Sequence, residues 1–410
     1  MIPELLCPAG DPEKLNAALR YGADAVYLAG EAFGMRAAAG NFTLDQLREG
    51  VKTANSYGKK IYLTVNVMPH DDEYKALAEY FDSIRDIGIS ALIVADLGVI
   101  SLAKEMLPDM ELHVSTQASV VSARTCEEYL RLGCRRVVLA RELTLEEIRR
   151  IRREASKEVE LEAFVHGSMC ISYSGRCLLS NYFTGRDANR GKCAQPCRWN
   201  FKMYETAEEK RLGDRLPIEE TDRGTFIMSS RDMCMIEHIP ELCEVGLDSL
   251  KIEGRMKSVY YTAVTANAYR MALDSYAADP KGYVFDPIWK EELESVSHRE
   301  YATGFYFDRP EEDAKTVVSM GYVRDKAYLA RVLSYDAETG RATFELRNKL
   351  SAGDAVELIT PGKAGRRFTV SDIINEAGES VETAPHPLMK FSLPMPFEAK
   401  CGDILRSGNA

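Results

Sequence analysis

The chain has 410 residues, 45% of them hydrophobic and 28% charged, the proportions of a globular protein rather than a disordered one. A length of this order holds two or three domains. Fifty-two Lys and Arg against 63 Asp and Glu leave a net charge of −11, which excludes a surface built throughout to clamp a polyanion, so any nucleic-acid contact has to be a local patch.

The first ten residues carry no basic stretch and place Glu4 inside an apolar run, so they do not read as a signal peptide. The apolar stretch Ala91–Ala103 is interrupted by Asp96 and is too short to span a membrane. The expectation is a cytoplasmic protein whose ten Cys are thiols or metal ligands rather than disulfides.

Gly22, Gly88, Gly133 and Gly246 are each followed closely by a short apolar run, Val26–Leu28, Leu92–Val94, Val137–Leu139 and Leu250–Ile252. Gly suits the left-handed position just past a helix, and a continuous apolar run after it reads as a buried parallel strand. Glu4–Cys7, Ile61–Val67, Glu111–Ser115 and Leu161–Val165 bring the strands to eight. Asp11-Pro12 opens one intervening helix, and the capping boxes Thr43–Gln46 and Thr144–Glu147 open two more. Strict alternation of this kind predicts a (β/α)8 barrel of TIM type. An open dinucleotide-binding sheet is disfavoured, because no Gly-x-Gly-x-x-Gly follows the first strand.

More than 80 residues separate the seventh and eighth strands, so an insertion is expected at about 168–245. The barrel is assigned to 1–280, a connecting segment to 281–315 and an all-β module, a small barrel, to 316–410. The module's expected strands are Thr316–Val323, Ala327–Leu333, Ala342–Leu346, Ala355–Ile359, Phe368–Ile373 and Leu388–Phe391, with a hairpin turn at Asp336–Gly340.

Cys170, Cys177, Cys193 and Cys197 follow a C-x6-C-x15-C-x3-C spacing, with Cys234 36 residues further on. Cys170 follows the seventh strand by a few residues, at the end of the barrel where βα loops build active sites. Converging thiolates suit zinc or an iron–sulfur cluster, and irregular spacing suits the cluster, which fills a larger cage. Cys126, Cys134, Cys243 and Cys401 read as inert thiols, while Cys7 ends the first strand near the same mouth.

The run Glu162-Ala-Phe-Val-His-Gly-Ser-Met-Cys170-Ile-Ser-Tyr-Ser-Gly-Arg-Cys177-Leu-Leu-Ser180 resembles the signature of the U32 family, long catalogued as peptidases or collagenases. Gly191–Trp199, Ser229–Cys234, Leu250–Ser258 and His298–Phe305 resemble further blocks of that family, and the tail resembles its C-terminal β-barrel module. The similarity is greatest to the branch that hydroxylates the tRNA wobble uridine to 5-hydroxyuridine by a prephenate-dependent, oxygen-independent route. It implies a [4Fe–4S] cluster on Cys170, Cys177, Cys193 and Cys234, with Cys197 as the alternative to Cys234. It also implies prephenate as cosubstrate or precursor, tRNA as a partner, and a paralogous U32 subunit as another. Sister branches leave open a 23S rRNA cytidine hydroxylase or a non-catalytic RNA-binding subunit. True proteolysis has less behind it: the sequence holds neither His-Glu-x-x-His nor Gly-x-Ser-x-Gly, and a Cys–His pair would rest on His166, four residues before Cys170, whose thiol is also a candidate cluster ligand.

Strand ends place Asn66, Asp96, Ser115, Gln117, Arg141, Glu142, His166, Lys251, Glu253 and Arg255 at the mouth. Lys251 and Glu253 lie two apart on one strand and share a face. With Arg255 they either bind a dicarboxylate such as prephenate or form an ion-pair network closing the barrel. His166, Lys251, Glu253 and Arg255 are the candidate catalytic set, with His166 and His113 as proton carriers by residue type and His113 equally a core histidine. Arg176, Arg186, Arg190, Lys192 and Arg198 face one acid, Asp187, across 170–200, a local net charge of +4 interleaved with Tyr173, Tyr182, Phe183 and Trp199. These basic residues with Trp199 are the candidate RNA-binding set, since cations hold phosphates and aromatics stack unpaired bases. Lys363, Arg366 and Arg367 make a lesser basic turn in the module.

Overall fold

Eight parallel strands close on themselves: β1 Glu4–Pro8, β2 Ala25–Leu28, β3 Lys60–Val65, β4 Ala91–Val94, β5 Glu111–Val114, β6 Cys134–Val138, β7 Glu160–Ser168 and β8 Ser249–Ile252. The closure is made by β8, which pairs in parallel with β1 (Glu4↔Ser249) and with β7 (Ser249↔Glu162). This computed structural model describes residues 2–35, 40–170, 172–199, 219–221, 224–226, 230–307 and 325–408. Helices α1 Pro12–Arg20, α2 Leu44–Ser56, α3 Tyr74–Ile84, α4 Leu97–Met106, α5 Ala123–Arg131, α6 Leu145–Glu154, α7 Ile239–Glu244 and α8 Val259–Ala278 follow the successive strands. Asp11 caps α1, and both expected capping boxes are formed, at Thr43/Gln46 and Thr144/Glu147.

Strand alternation sorts the side chains into two layers. Leu6, Tyr27, Tyr62 and Ile93 point inward and pack together inside the barrel. Leu5, Val26, Leu28, Leu63 and Leu92 point outward against the helices.

At nine residues β7 outruns its neighbours, and the register against β8 shifts between Lys251 and Ile252. Beyond that irregularity β7 pairs antiparallel with a short strand, Asp232–Cys234, which in turn carries Tyr301–Ala302 in parallel. Gly167 sits in this crossing at φ +105°, where a Cβ would lie 2.4 Å from the Glu253 carbonyl oxygen. Only glycine allows β7 and β8 to approach so closely there.

Residues 281–307, expected to be a connector, are packed as part of the barrel domain. The helix Pro287–Glu294 buries Trp289 and Leu293 in the same core as the barrel helices. The C-terminal module is an antiparallel sheet of eight strands in the order Arg366–Thr369, Ala355–Ile359, Ile404–Ser407, Tyr328–Asp336, Arg341–Leu346, Lys390–Pro394, Ile373–Asn375, Ser380–Val381, curled around Val332, Phe344, Val356, Phe391 and Leu405. The expected strand at 316–323 lies outside the described residues.

The module is fixed to the barrel through α8, which is buried along most of its length. Asn267 on α8 donates to the Lys363 carbonyl and accepts from the Gly362 N–H. Buried Arg406 forms ion pairs with Glu292 and Glu357 and donates to Tyr260 Oη and Ser295 Oγ. No described helix is long and apolar enough to cross a membrane.

Candidate active site

A cavity of about 140 Å³ opens at the C-terminal ends of the barrel strands, roofed by the segment after β7. Its floor is built by strand periodicity. Tyr27, Thr64, Ile93, Phe164 and Lys251 line it from inside the barrel, and Asn66, Ser115, Gln117, Arg141, Glu253 and Arg255 line it from the strand ends and the loops beyond. Its roof carries Cys170, Cys177, Cys193 and Cys197.

Lys251 points down as well as in. Its ammonium donates to Glu162 Oε1 at 2.7 Å, while Tyr27 and Phe164 lie 4.5 and 5.5 Å away by ring centroid. Glu162 is fully buried and also accepts from Arg136 at 3.2 Å; Arg136 continues to Glu4 at 2.6 Å and Glu160 at 2.8 Å. Burial alone would raise the Glu162 carboxyl, but the Lys251 and Arg136 charges carry it below its ordinary value of 4.5. Burial moves Lys251 the other way, below its ordinary 10.5, against the pull of Glu162. A charged network thus fills the barrel beneath the cavity, and Lys251 is at once its uppermost member and part of the cavity floor. Arg255, buried, donates to Thr64 Oγ1 at 3.3 Å.

The roof is tied to the rim by polar contacts. Glu142 accepts from the Ser174 N–H and hydroxyl, both at 2.6 Å, and Arg176 Nε donates to the Gln117 carbonyl at 2.7 Å. Arg190 pairs with Glu73. Within the roof Asn189 brackets Cys177, accepting from its N–H and donating to its carbonyl, each at 3.1 Å, and Ser180 Oγ accepts from Ala194 N at 2.9 Å. Arg186 and Lys192 are exposed, as are Tyr182, Phe183 and Trp199. Phe183 stands between the other two aromatics, with centroids 5.3 Å from Tyr182 and 6.3 Å from Trp199. The Arg198 side chain lies outside what is described.

Two residues expected at the mouth, Asp96 and His166, serve elsewhere, and His113 takes the core alternative. Asp96 caps α4 and accepts from Tyr74 Oη at 3.0 Å. His113 is buried at the opposite side of the network, 2.6 Å from Glu111, with burial holding its imidazole below the ordinary 6.5. His166 is not among the cavity's lining residues. The irregularity in the β7–β8 register breaks the two-residue alternation, so His166 does not share the face of Glu162 and Phe164. Its ring instead lies among Tyr261, Tyr269 and Tyr301, with centroids 5.3–5.9 Å away. Neither ring nitrogen has a hydrogen-bond partner among the described residues, and burial depresses its pKa to about 3. Cys234 pairs across the strand with His166, on that same outer side, and does not line the cavity. Tyr27, Thr64 and Phe164 were not singled out from sequence, although period-two spacing from Tyr62 to Thr64 and from Glu162 to Phe164 carried the signal.

The roof brings four thiols, Cys170, Cys177, Cys193 and Cys197, to one cavity. Among the described residues no three His, Cys, Asp or Glu side chains form a group that could hold a single metal ion. Four Cys around one cavity fit a multi-iron cluster better than one ion, because the cluster fills a larger cage.

A model of peptidase family U32 matches residues 10–316, and one of the peptidase family U32 C-terminal domain matches 324–406. The chain belongs to peptidase family U32. This U32 protein is similar to tRNA hydroxylation protein P1 of Bacillus subtilis, with 39% identity over 95% of this chain and 92% of that one. It is similar to tRNA hydroxylation protein P of Escherichia coli at 36% identity over 99% and 97% of the two chains, and to the collagenase of Porphyromonas gingivalis at 31% over 98% and 97%. In this U32 chain the motif Glu162–Ser180 runs from the ionic network under the cavity, through the close strand crossing at Gly167, to two roof thiols and the hydroxyl that holds Ala194. A Cys170–His166 pair of the kind a thiol peptidase needs is not formed, since the imidazole makes no hydrogen bond among the described residues.

The position of His166 gives a first prediction for this U32 protein. His166→Leu keeps catalytic turnover within about tenfold, since proton transfer by a positioned side chain is worth 100-fold or more and this ring is outside the cavity. A loss beyond 100-fold, with the unfolding midpoint unchanged, would place His166 in the chemistry.

Proposed function

We propose that this protein is an iron–sulfur RNA-modifying enzyme that hydroxylates the wobble uridine of tRNA to 5-hydroxyuridine by a prephenate-dependent, oxygen-independent route. The observation that carries the reading is the single cavity in which four Cys on the roof face a barrel floor rich in hydrogen-bond donors and cations. The similarity to proteins named for tRNA hydroxylation supports RNA as the substrate class.

Cys170, Cys177, Cys193 and Cys197 would hold the cluster, with Cys234 as the alternative to Cys197; when bound, it supplies redox chemistry that the side chains lack. The chain's own residues do the rest. Lys251, Arg255 and Arg141 give the cavity its positive side for the carboxylates of prephenate, and Phe164 supplies an apolar face for a ring. The roof covers the cavity and limits water at the reacting atoms. The exposed aromatic group Tyr182, Phe183 and Trp199, with Arg186 and Lys192 beside it in the chain, offers stacking and phosphate contacts to a single-stranded loop.

The deciding measurement is mass spectrometry of tRNA nucleosides made by the purified, anaerobically prepared protein with prephenate. Accumulation of 5-hydroxyuridine is expected, and its absence under those conditions rejects the assignment. A second prediction concerns the aromatic group. Tyr182→Ala combined with Trp199→Ala weakens binding of an anticodon stem-loop by about 30-fold or more in fluorescence anisotropy, from about 1–3 kcal/mol per stacked base at two positions. The thermal midpoint stays within about 2 °C, because both side chains are solvent-exposed surface positions.

A further inference from the structure

The polar side of the cavity has a fixed direction, set by one backbone group. Asn66 Oδ1 accepts from the Met35 N–H at 3.2 Å. A backbone N–H can only donate, so the Asn66 carboxamide has a single orientation. Its NH2 therefore faces the other way, donating to Ser115 Oγ at 3.3 Å and to Gln117 Oε1 at 2.9 Å. The second amide is oriented in turn: with its oxygen occupied by Asn66, Gln117 is left with its Nε2 hydrogens. Gln117 lines the cavity, its side chain is 5% exposed, and Nε2 makes no hydrogen bond among the described residues. Its backbone carbonyl also receives Arg176, so the roof clamps the residue from above.

We propose that Gln117 is the residue that selects the base, and that Asn66 is the positioning residue that keeps Gln117 turned with its donor toward the substrate. This rests on the RNA-hydroxylation reading above and adds the basis of its choice between pyrimidines. Uracil presents a carbonyl acceptor at position 4, where cytosine presents an amino donor. A fixed N–H2 group bonds the first and leaves the second donor facing a donor inside the cavity. Sites that hydrogen-bond a substrate group discriminate strongly against the analogue that cannot reciprocate, because buried polar groups are then left unpaired. A base taken out of its stack exposes that edge to such a reader.

The experiment uses the full-length protein, prepared anaerobically, and two synthetic anticodon stem-loops that differ only in U or C at the target position, with hydroxylated nucleoside read by mass spectrometry. The wild type favours U over C by at least about 100-fold. Gln117→Glu keeps an oxygen for Asn66 but presents an acceptor to the cavity, and the U-to-C ratio falls to within about tenfold. Asn66→Asp still accepts from Met35 but can no longer donate, so Gln117 rotates, presents its oxygen, and shifts the ratio in the same direction. Both variants keep their thermal midpoint within a few degrees. Equal losses on both RNAs with the ratio unchanged would overturn the proposal, and so would an unchanged ratio with a raised KM for prephenate, which gives the donor to the carboxylate instead. A wild type that modifies neither RNA overturns the hydroxylation reading itself, and the selection proposal with it.

Discussion

Glu162→Ala is expected to lower the stability of the folded protein by about 3–5 kcal/mol at pH 7, the cost of removing one partner from a buried ion pair. The side chain is fully buried and is the one carboxylate within reach of the Lys251 ammonium, at 2.7 Å, among the ion pairs of the described residues. Arg136 keeps Glu4 and Glu160 when Glu162 is lost, so the damage falls on Lys251. That ammonium keeps the faces of Tyr27 and Phe164 beside it, which recover part of a desolvated charge. Urea denaturation checks the size, read as a fall in midpoint with the slope unchanged. Glu162→Gln keeps the shape and one acceptor, and loses less.

The pH dependence has a definite sign. The folded Glu162 carboxyl titrates below its ordinary 4.5, so the native state holds this charge at pH values where the unfolded chain has already taken up a proton. The stability it contributes is fully present above about 4.5 and is lost as pH falls through the folded value. The Gln variant lacks this portion of the acid limb, so its midpoint falls less steeply than the wild type's below that pH. Parallel acid limbs in the two proteins would remove Glu162 from the account.

Much of the architecture was legible because it depends on local rules. Glycine after a helix, a continuous apolar run and a capping box are written in adjacent residues, and those signals placed the barrel strands and the helix starts at Thr43 and Thr144. The cavity floor was partly legible for the same reason, since strand ends carry the residues of a barrel mouth. What escaped depends on contacts between distant segments. The shift in β7 arises from how Lys251 and Ile252 meet Phe164 and His166, and nothing within Glu162–Ser168 announces that His166 changes sides. The strand Ile404–Ser407 reads as half polar, yet it pairs on both edges in the module because Arg406 finds Glu292 and Glu357 in the interior. Trp289 and Leu293 looked like connector residues because the core they fill is built by chain lying before them.

The same distinction bears on the cysteines, where the family resemblance favours Cys234 over Cys197 as fourth ligand, while Cys197 and not Cys234 lines the cavity. Cys197→Ala is expected to abolish cluster incorporation, and Cys234→Ala to retain it. Cys170, Cys177, Cys193 and Cys197 line one cavity on a roof held by Glu142, Gln117 and Glu73. Cys234 lies on a strand that pairs with the end of β7, opposite His166, and does not line the cavity. Bringing Cys234 to the roof would break the Cys234↔His166 and Met233↔Gly167 pairings and undo the close crossing that Gly167 permits, whereas Cys197 is already in place. The measurement is iron and acid-labile sulfide per chain after anaerobic reconstitution, with the visible absorbance of the cluster as a second readout. Cys197→Ala falls to background by both, as do Cys170→Ala, Cys177→Ala and Cys193→Ala, while Cys234→Ala stays near the wild type. The thermal midpoints of the unreconstituted proteins separate a lost ligand from a lost fold. The reverse pattern, iron kept without Cys197 and lost without Cys234 in folded protein, would assign the fourth ligand to Cys234 and require β7 and its partner strand to rearrange when the cluster binds.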